Sequence, residues 1–148
     1  MKTFKIYVIS MTFIFLFFNI ISVNIVNGSS MYPTLKNNEI KFGLNKNSNI
    51  EMGNIIVFKQ DNKTLIKRVC GVPGDKIEIR NGIIFRNDGR VDEPYIKEKS
   101  YDSMSEITLN KNEYFVLGDN RNNSFDSRFF GTIKKENIIE KIIWKKGE

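Results

Sequence analysis

From Ile6 to Val26 the chain carries no charged residue, and only Ser10, Thr12, Asn19, Ser22 and Asn24 interrupt an otherwise apolar run. A helix rises about 1.5 Å per residue, so about 20 such residues cross a hydrocarbon core roughly 30 Å thick. The run is long enough to span, which predicts a transmembrane helix ahead of the rest of the chain. A cleaved secretory signal peptide is the competing reading, because the basic start at Lys2 and Lys5 and the Val26-Asn27-Gly28 stretch would permit cleavage. Signal-peptide apolar regions usually run about 7 to 15 residues, so length favours the anchor. Lys2 and Lys5 favour a cytoplasmic N-terminus, although Lys36, Lys41 and Lys46 weaken the charge asymmetry. The expectation is a single-pass protein of the cell membrane. Residues 1–27 would form the cytoplasmic start and anchor, and residues 28–148 an extracytoplasmic domain.

Beyond Gly28 the sequence reads as strands and turns. Runs rich in β-branched and aromatic residues occur at Asn54 to Phe58, Thr64 to Val69, Lys76 to Arg80, Ile83 to Arg86 and Tyr114 to Leu117. Turn clusters separate them, and Asn81-Gly82 between two such runs is a strong hairpin signal. Glu136 to Trp144 fits a helix or a strand and is read as a final strand, and Lys97 to Asn112 is read as a polar surface loop. The fold class expected is mainly β, an antiparallel sheet domain preceded by one N-terminal transmembrane helix. With 148 residues there is room for one small domain plus an appendage.

The chain has no histidine, which removes Ser-His-Asp and Cys-His catalysis and every metal site that needs imidazole. No metal ion held by imidazole is expected. Cys70 is the single cysteine, and with no histidine to lower its pKa it reads as a buried small hydrophobe rather than a nucleophile. The net charge of +6 is spread among acidic residues with no aromatic-interleaved basic cluster, so no nucleic-acid partner is expected. Attraction to anionic lipid head groups is a secondary use of that charge.

Any hydrolytic base must then be a carboxylate, a tyrosine or a lysine. In Thr64-Leu65-Ile66-Lys67-Arg68-Val69-Cys70 the two-residue period of a strand places Lys67 on the face of Leu65 and Val69. Burying an ammonium among apolar side chains lowers its pKa, and only a neutral lysine can take a proton from a serine. From this stretch alone, an ordinary strand lysine that snorkels to water is the better reading. A hydroxyl candidate lies in Gly28-Ser29-Ser30-Met31-Tyr32-Pro33-Thr34-Leu35, which otherwise reads as a polar linker. The stretch Leu117 to Gly131 is dense in Asp, Asn, Arg and Ser yet flanked by aromatics, so a paired network of Asp119, Asp126, Arg68 and Arg128 is plausible.

Together these stretches resemble the ordered motif boxes of type I signal peptidases. The boxes are Ser30-Met31-Tyr32-Pro33-Thr34-Leu35, Gly53 to Phe58, Ile66 to Val69 with Gly71-Val72-Pro73-Gly74-Asp75, and Gly118-Asp119-Asn120-Arg121 with Ser124, Asp126, Ser127 and Arg128. The resemblance implies a mainly antiparallel β fold and a serine endopeptidase that uses a Ser-Lys dyad through an acyl-enzyme. It implies substrates that are signal-peptide-bearing preproteins, cut after small residues. By the same resemblance Ser30 is the nucleophile and Lys67 the general base, with Ser124 hydrogen-bonding and orienting the lysine amine. Asp119, Asp126, Arg68 and Arg128 are structural supports, and Met31 sits beside the pocket for the small residue before the cut. The bilayer, and possible contact with export machinery, complete the expected partners. Two positions depart from the family pattern. Gly28 stands where some relatives have a serine that donates a second oxyanion hydrogen bond, and Asn54 stands where aspartate is usual. Phe129, Phe130 and Trp144 are candidate interfacial residues or core. The rivals are another Ser-Lys peptidase, such as a plasmid-transfer processing enzyme or a self-cleaving repressor, and a catalytically dead tethered β-domain.

Overall fold

The computed structural model describes Tyr7, Met11 and residues 21–45 and 49–143. Eleven strands, one short α-helix and two 3-10 turns, at Arg121–Asn123 and Lys135–Asn137, are set among these residues. The strands are β1 (Ile21–Ile25), β2 (Ile40–Asn45), β3 (Ile55–Gln60), β4 (Lys63–Gly71), β5 (Lys76–Arg80), β6 (Ile83–Arg86), β7 (Gly89–Arg90), β8 (Met104–Thr108), β9 (Glu113–Leu117), β10 (Ile133–Lys134) and β11 (Ile138–Ile142), and the helix is α1 (Ser127–Phe130). Seven strands form one sheet in the order β1-β2-β11-β3-β4-β9-β10, and four form a second in the order β7-β6-β5-β8. Every strand pairing described is antiparallel.

The apolar runs explain which strands sit centrally. On β3, Ile56 and Phe58 pack in one cluster with Val69, Tyr114, Val116, Ile133 and Ile138, while Ile55 and Val57 pack on the opposite face with Val26, Met31, Leu35 and Ile142. On β9, Tyr114 and Val116 belong to the first cluster, and Phe115 and Leu117 to a third with Cys70, Ile77, Ile79, Ile84 and Leu109. Strands buried on both faces need apolar residues at every position, which is why these runs lack alternation.

Three two-residue hairpins carry the punctuation. Arg80 pairs with Ile83 around Asn81 and Gly82, Gln60 with Lys63 around Asp61 and Asn62, and Arg86 with Gly89 around Asn87 and Asp88. All six turn residues have positive φ, between 46° and 74°. Such turns match the twist of the flanking strands, and Asn, Asp and Gly tolerate the left-handed conformation they need.

The structure corrects the sequence reading in two places. Ile21–Ile25, the end of the run read as a membrane helix, is a strand whose Val23 and Ile25 pair with Phe42 and Ile40 of β2. The last five described residues of that run before Val26 thus belong to the sheet. Apart from Tyr7 and Met11, the earlier part of the expected anchor lies outside the described residues, as does Trp144; among the described residues no helix is long and apolar enough to cross a membrane. The second correction is β8 inside the segment read as a loop. Its residues Met104 and Ile107 pack against the cluster around Ile77, while the polar residues between them face outward.

Candidate active site

Strand β4 delivers two functional side chains to opposite faces. Lys67 is directed with Leu65 and Val69 and is only 3% exposed. Its Nζ donates to Ser30 Oγ at 2.8 Å and to the Ile66 carbonyl at 3.0 Å. Burial lowers the Lys67 pKa to about 8, while the negative charges of Asp126 and Asp119 pull it back upward. The amine is thus placed within hydrogen-bond reach of the hydroxyl and titrates close to neutral pH.

Ser30 sits in the turn that leaves β1, and the loop after β9 clamps it from the other side. Asn120 N–H donates to the Ser30 carbonyl at 3.0 Å, Asn120 Nδ2 to the Ser29 carbonyl at 3.1 Å, and Asn123 Nδ2 to Ser29 Oγ at 2.9 Å. Gly28 enters this turn with φ of 94°, a conformation that side chains disfavour, and its N–H donates to Asn37 Oδ1 at 2.8 Å. The backbone path to Ser30 gives a physical reason for glycine at this departure from the family pattern. Asn54, the other departure, accepts the Glu51 N–H through Oδ1 at 3.0 Å, a contact an aspartate oxygen makes equally well.

The expected polar network resolves into separate ion pairs. Arg68 grips Asp119 with both ends of its fork, Nε to Oδ1 at 2.8 Å and Nη2 to Oδ2 at 2.7 Å, and donates to the Gly53 carbonyl at 2.8 Å. Arg128 holds Asp126 in the same bidentate manner, both bonds at 2.8 Å, and reaches Asp102 at 2.5 Å. Asp126 also accepts the Gly118 N–H at 3.0 Å, and Ser127 Oγ accepts the Val116 N–H at 2.9 Å, so α1 is tied to β9. Planar forks of this kind fix orientation as well as charge.

Ser124 is where the structure departs from expectation. Its Oγ is buried without a hydrogen-bond partner, and the anticipated bond to Lys67 is not formed. The reason is packing: the hydroxyl lies where a Cβ on Gly118 would stand, beside the Ser30 carbonyl, while the lysine amine turns to Ser30 and Ile66.

Several partners escaped the sequence reading. Thr34 Oγ1 donates to Asp119 Oδ2 at 2.5 Å, fastening the Ser30 turn to the Arg68 pair. Glu93 forms a buried ion pair with Arg121 and accepts the Tyr95 hydroxyl at 2.8 Å, and the Tyr95 ring centroid lies 4.0 Å from the Arg68 guanidinium carbon. Arg121 in turn donates through Nε to the Gly118 carbonyl at 3.1 Å. The segment around Pro94 thereby braces the arginine next to Lys67. Its sequence, a short acidic stretch with a proline, carries no periodic signal that could announce such long-range pairs. Cys70 is 1% exposed and burial pushes its thiol up to about 12, in keeping with a packing role.

A cleft runs beside the pair, lined by Asn24, Val26, Ser30, Met31, Ile66 and Lys67 among others. A wider concavity bordered by Asn110, Glu113, Lys134 and Lys135 contains neither Ser30 nor Lys67.

A serine hydroxyl within hydrogen-bond reach of a buried amine, in a chain without histidine, is an arrangement that can support hydrolysis with lysine as the base. Comparison with known proteins narrows the class. The family described as signal peptidase, peptidase S26, matches residues 1–145. Signal peptidase I S of Bacillus subtilis strain 168 is 36% identical over 118 residues, covering 70% of this chain and 64% of that protein. Signal peptidase IB of Staphylococcus aureus strain Mu50 is 36% identical over 143 residues, covering 81% and 74%. The crystal structure of a signal peptidase I from Enterococcus faecalis V583 superposes with a TM-score of 0.58 at 27% identity, over 65% of this chain and 97% of that one. The chain belongs to the signal peptidase family, peptidase S26. The match spans slightly less than two thirds of the Bacillus protein's own length.

Gly118 gives a first test of how tightly the site is assembled. A Cβ there would stand 2.5 Å from Ser124 Cβ and 2.6 Å from the Ser30 carbonyl oxygen. Gly118→Ala is expected to destabilise the domain by about 1–3 kcal/mol through overpacking. Displacement of Ser30 should also slow any cleavage that depends on its hydroxyl at least about tenfold. Urea melts and single-turnover cleavage measure the two effects.

Proposed function

We propose that this chain is a membrane-held serine endopeptidase that removes N-terminal signal peptides from exported preproteins, with Ser30 as nucleophile and Lys67 as general base. The observation that carries the reading is the 2.8 Å contact between Lys67 Nζ and Ser30 Oγ beside an open cleft. A preprotein lies in the cleft as an extended strand, with the small side chain before the cut against Met31. Neutral Lys67 accepts the Ser30 proton as Oγ attacks the carbonyl carbon, and the Ser30 backbone N–H faces the developing oxyanion. The same lysine passes the proton to the departing amine, leaving an acyl-enzyme. Water, deprotonated by Lys67, then releases the signal peptide and restores the hydroxyl. Asp119, Asp126, Arg68 and Arg128 hold the frame, and no step calls for a cofactor.

Membrane attachment follows from the apolar segment before Ile21, with the N-terminus cytoplasmic and the β unit extracytoplasmic. Val23, Ile25, Ile40 and Phe42, more than half exposed on one face of the β1–β2 pair, extend this segment with apolar surface suited to a bilayer interface. Holding the site at the surface raises the effective concentration of emerging signal peptides. Export machinery is the remaining partner in this reading.

The test is cleavage of a preprotein with an Ala-x-Ala site, in detergent or lipid vesicles, followed across pH. With Lys67 titrating at about 8, only its neutral form is active. The rate constant kcat/KM is therefore expected to climb about tenfold per pH unit below 8 and to level above it. Cutting after the second alanine with that profile supports the reading. Absence of cutting makes a tethered binding domain the better account, and a flat profile between pH 6 and 9 removes Lys67 as the base.

A further inference from the structure

Buried polar atoms are nearly always hydrogen-bonded, so each exception calls for an explanation. Among the described residues three side chains carry a buried, unpartnered polar atom: Ser22 Oγ, Asn24 Nδ2 and Ser124 Oγ. Ser124 packs against Gly118 and the Ser30 carbonyl. Ser22 lies with the buried carboxylate of Glu140 over Gly43, where a Cβ would meet both. Asn24 differs from these two because it lines the cleft that holds Ser30 and Lys67.

Its place along the cleft follows from the strand. Val26, packed with Met31, marks the end nearest Ser30. Asn24 lies two residues back, on the same face of the chain, while Val23 and Ile25 point to the exposed side. A same-face step along a strand is about 6.8 Å, and an extended substrate repeats its side chains at the same interval. A substrate whose first residue before the cut faces Met31 and Val26 therefore turns its third toward Asn24. The same cleft is also lined by Val57, Thr64, Leu65 and Ile66.

We infer that Asn24 is a specificity-determining residue, whose amide hydrogen-bonds a hydroxyl side chain at the third position before the cut, so that serine or threonine is preferred there over valine. The inference rests on the peptidase reading above and adds to it a selectivity set by this chain's own cleft. A hydroxyl both donates and accepts, so it satisfies either end of the carboxamide. Valine at the same place makes no hydrogen bond to the amide and forgoes the stabilisation a hydroxyl gains, which disfavours it despite its similar size.

The experiment compares the intact protein in lipid vesicles on three preproteins that share alanine at the first position and carry alanine, serine or valine at the third. The wild-type protein is expected to cut the serine substrate with kcat/KM about three- to tenfold above the valine substrate. Asn24→Leu, similar in shape and without the amide, should reverse that order, and Asn24→Ser, which keeps a polar group, should retain it. Equal cutting of serine and valine substrates by the wild-type protein overturns the inference, whatever the variants do. An unchanged serine preference in Asn24→Leu overturns it as well, because water or another group then satisfies the hydroxyl. Failure of the peptidase reading looks different: the alanine substrate itself is not cut, or is still cut by Ser30→Ala.

Discussion

Lys67→Met and Ser30→Ala are each expected to lower signal-peptide cleavage by at least about a thousandfold while the domain stays folded. In the proposed mechanism the two losses should not multiply in the double variant, because hydroxyl and amine would act as one unit across their 2.8 Å contact. Stability should move the other way. Burial takes the Lys67 pKa from 10.5 to about 8, and at about 1.4 kcal/mol per tenfold the charged amine costs the folded state on the order of 3 kcal/mol at neutral pH. The sign follows from proton counts. Below pH 8 the amine is protonated in both states and the cost is fully present. Between about pH 8 and 10.5 the unfolded chain holds the proton that the folded chain has released, so stability rises with pH and the cost disappears. Lys67→Met should therefore be more stable than the parent at pH 7, by about 1–3 kcal/mol after its lost hydrogen bonds, with the difference shrinking toward pH 10. Urea denaturation at the two pH values measures this. A variant that is inactive but less stable at both would argue that Lys67 is merely structural.

Asp119→Ala carries the second large effect. Both members of the Arg68–Asp119 pair are almost wholly buried, with side-chain exposures of 2% and 1%. Removing the carboxylate leaves a guanidinium in the interior without its counter-charge, which typically costs about 3–5 kcal/mol. It also removes the acceptor for Thr34, four residues after Ser30, and loosens the loop whose Asn120 N–H holds the Ser30 carbonyl. Activity should fall with stability. Replacing both partners, as Arg68→Met with Asp119→Leu, should recover much of the stability because no lone charge remains buried, yet it should not restore cleavage. Thermal melts and the cleavage assay separate the two outcomes, and a double variant as unstable as Asp119→Ala would show that the pair is needed for more than charge balance.

Much of the fold was legible because its central strands are buried on both faces. Ile55 to Phe58 and Tyr114 to Leu117 appear as unbroken apolar runs, and Asn81-Gly82 marked a hairpin through its tolerance of positive φ. β1 was not legible as a strand. Val23 and Ile25 are exposed apolar residues directly continuing an apolar segment, and hydropathy alone cannot tell that surface from a membrane helix. β8 was hidden for the opposite reason, since an edge strand with polar residues outward resembles a loop.

In the site, the order of the motifs pointed to Ser30 and Lys67, and the missing histidine left lysine as a base that burial could tune. These are local or compositional properties, written in residue type and spacing. The distance between the hydroxyl and the amine belongs to the tertiary structure, as do the separation of the arginine pairs, the brace from Glu93 and Tyr95, and the placement of Asn24 in the cleft. Ser30 and Lys67 lie 37 residues apart and Arg68 and Asp119 lie 51 apart. Contacts at such separations depend on sheet register and on which side chains are driven out of water together, and no spacing rule along the chain encodes them.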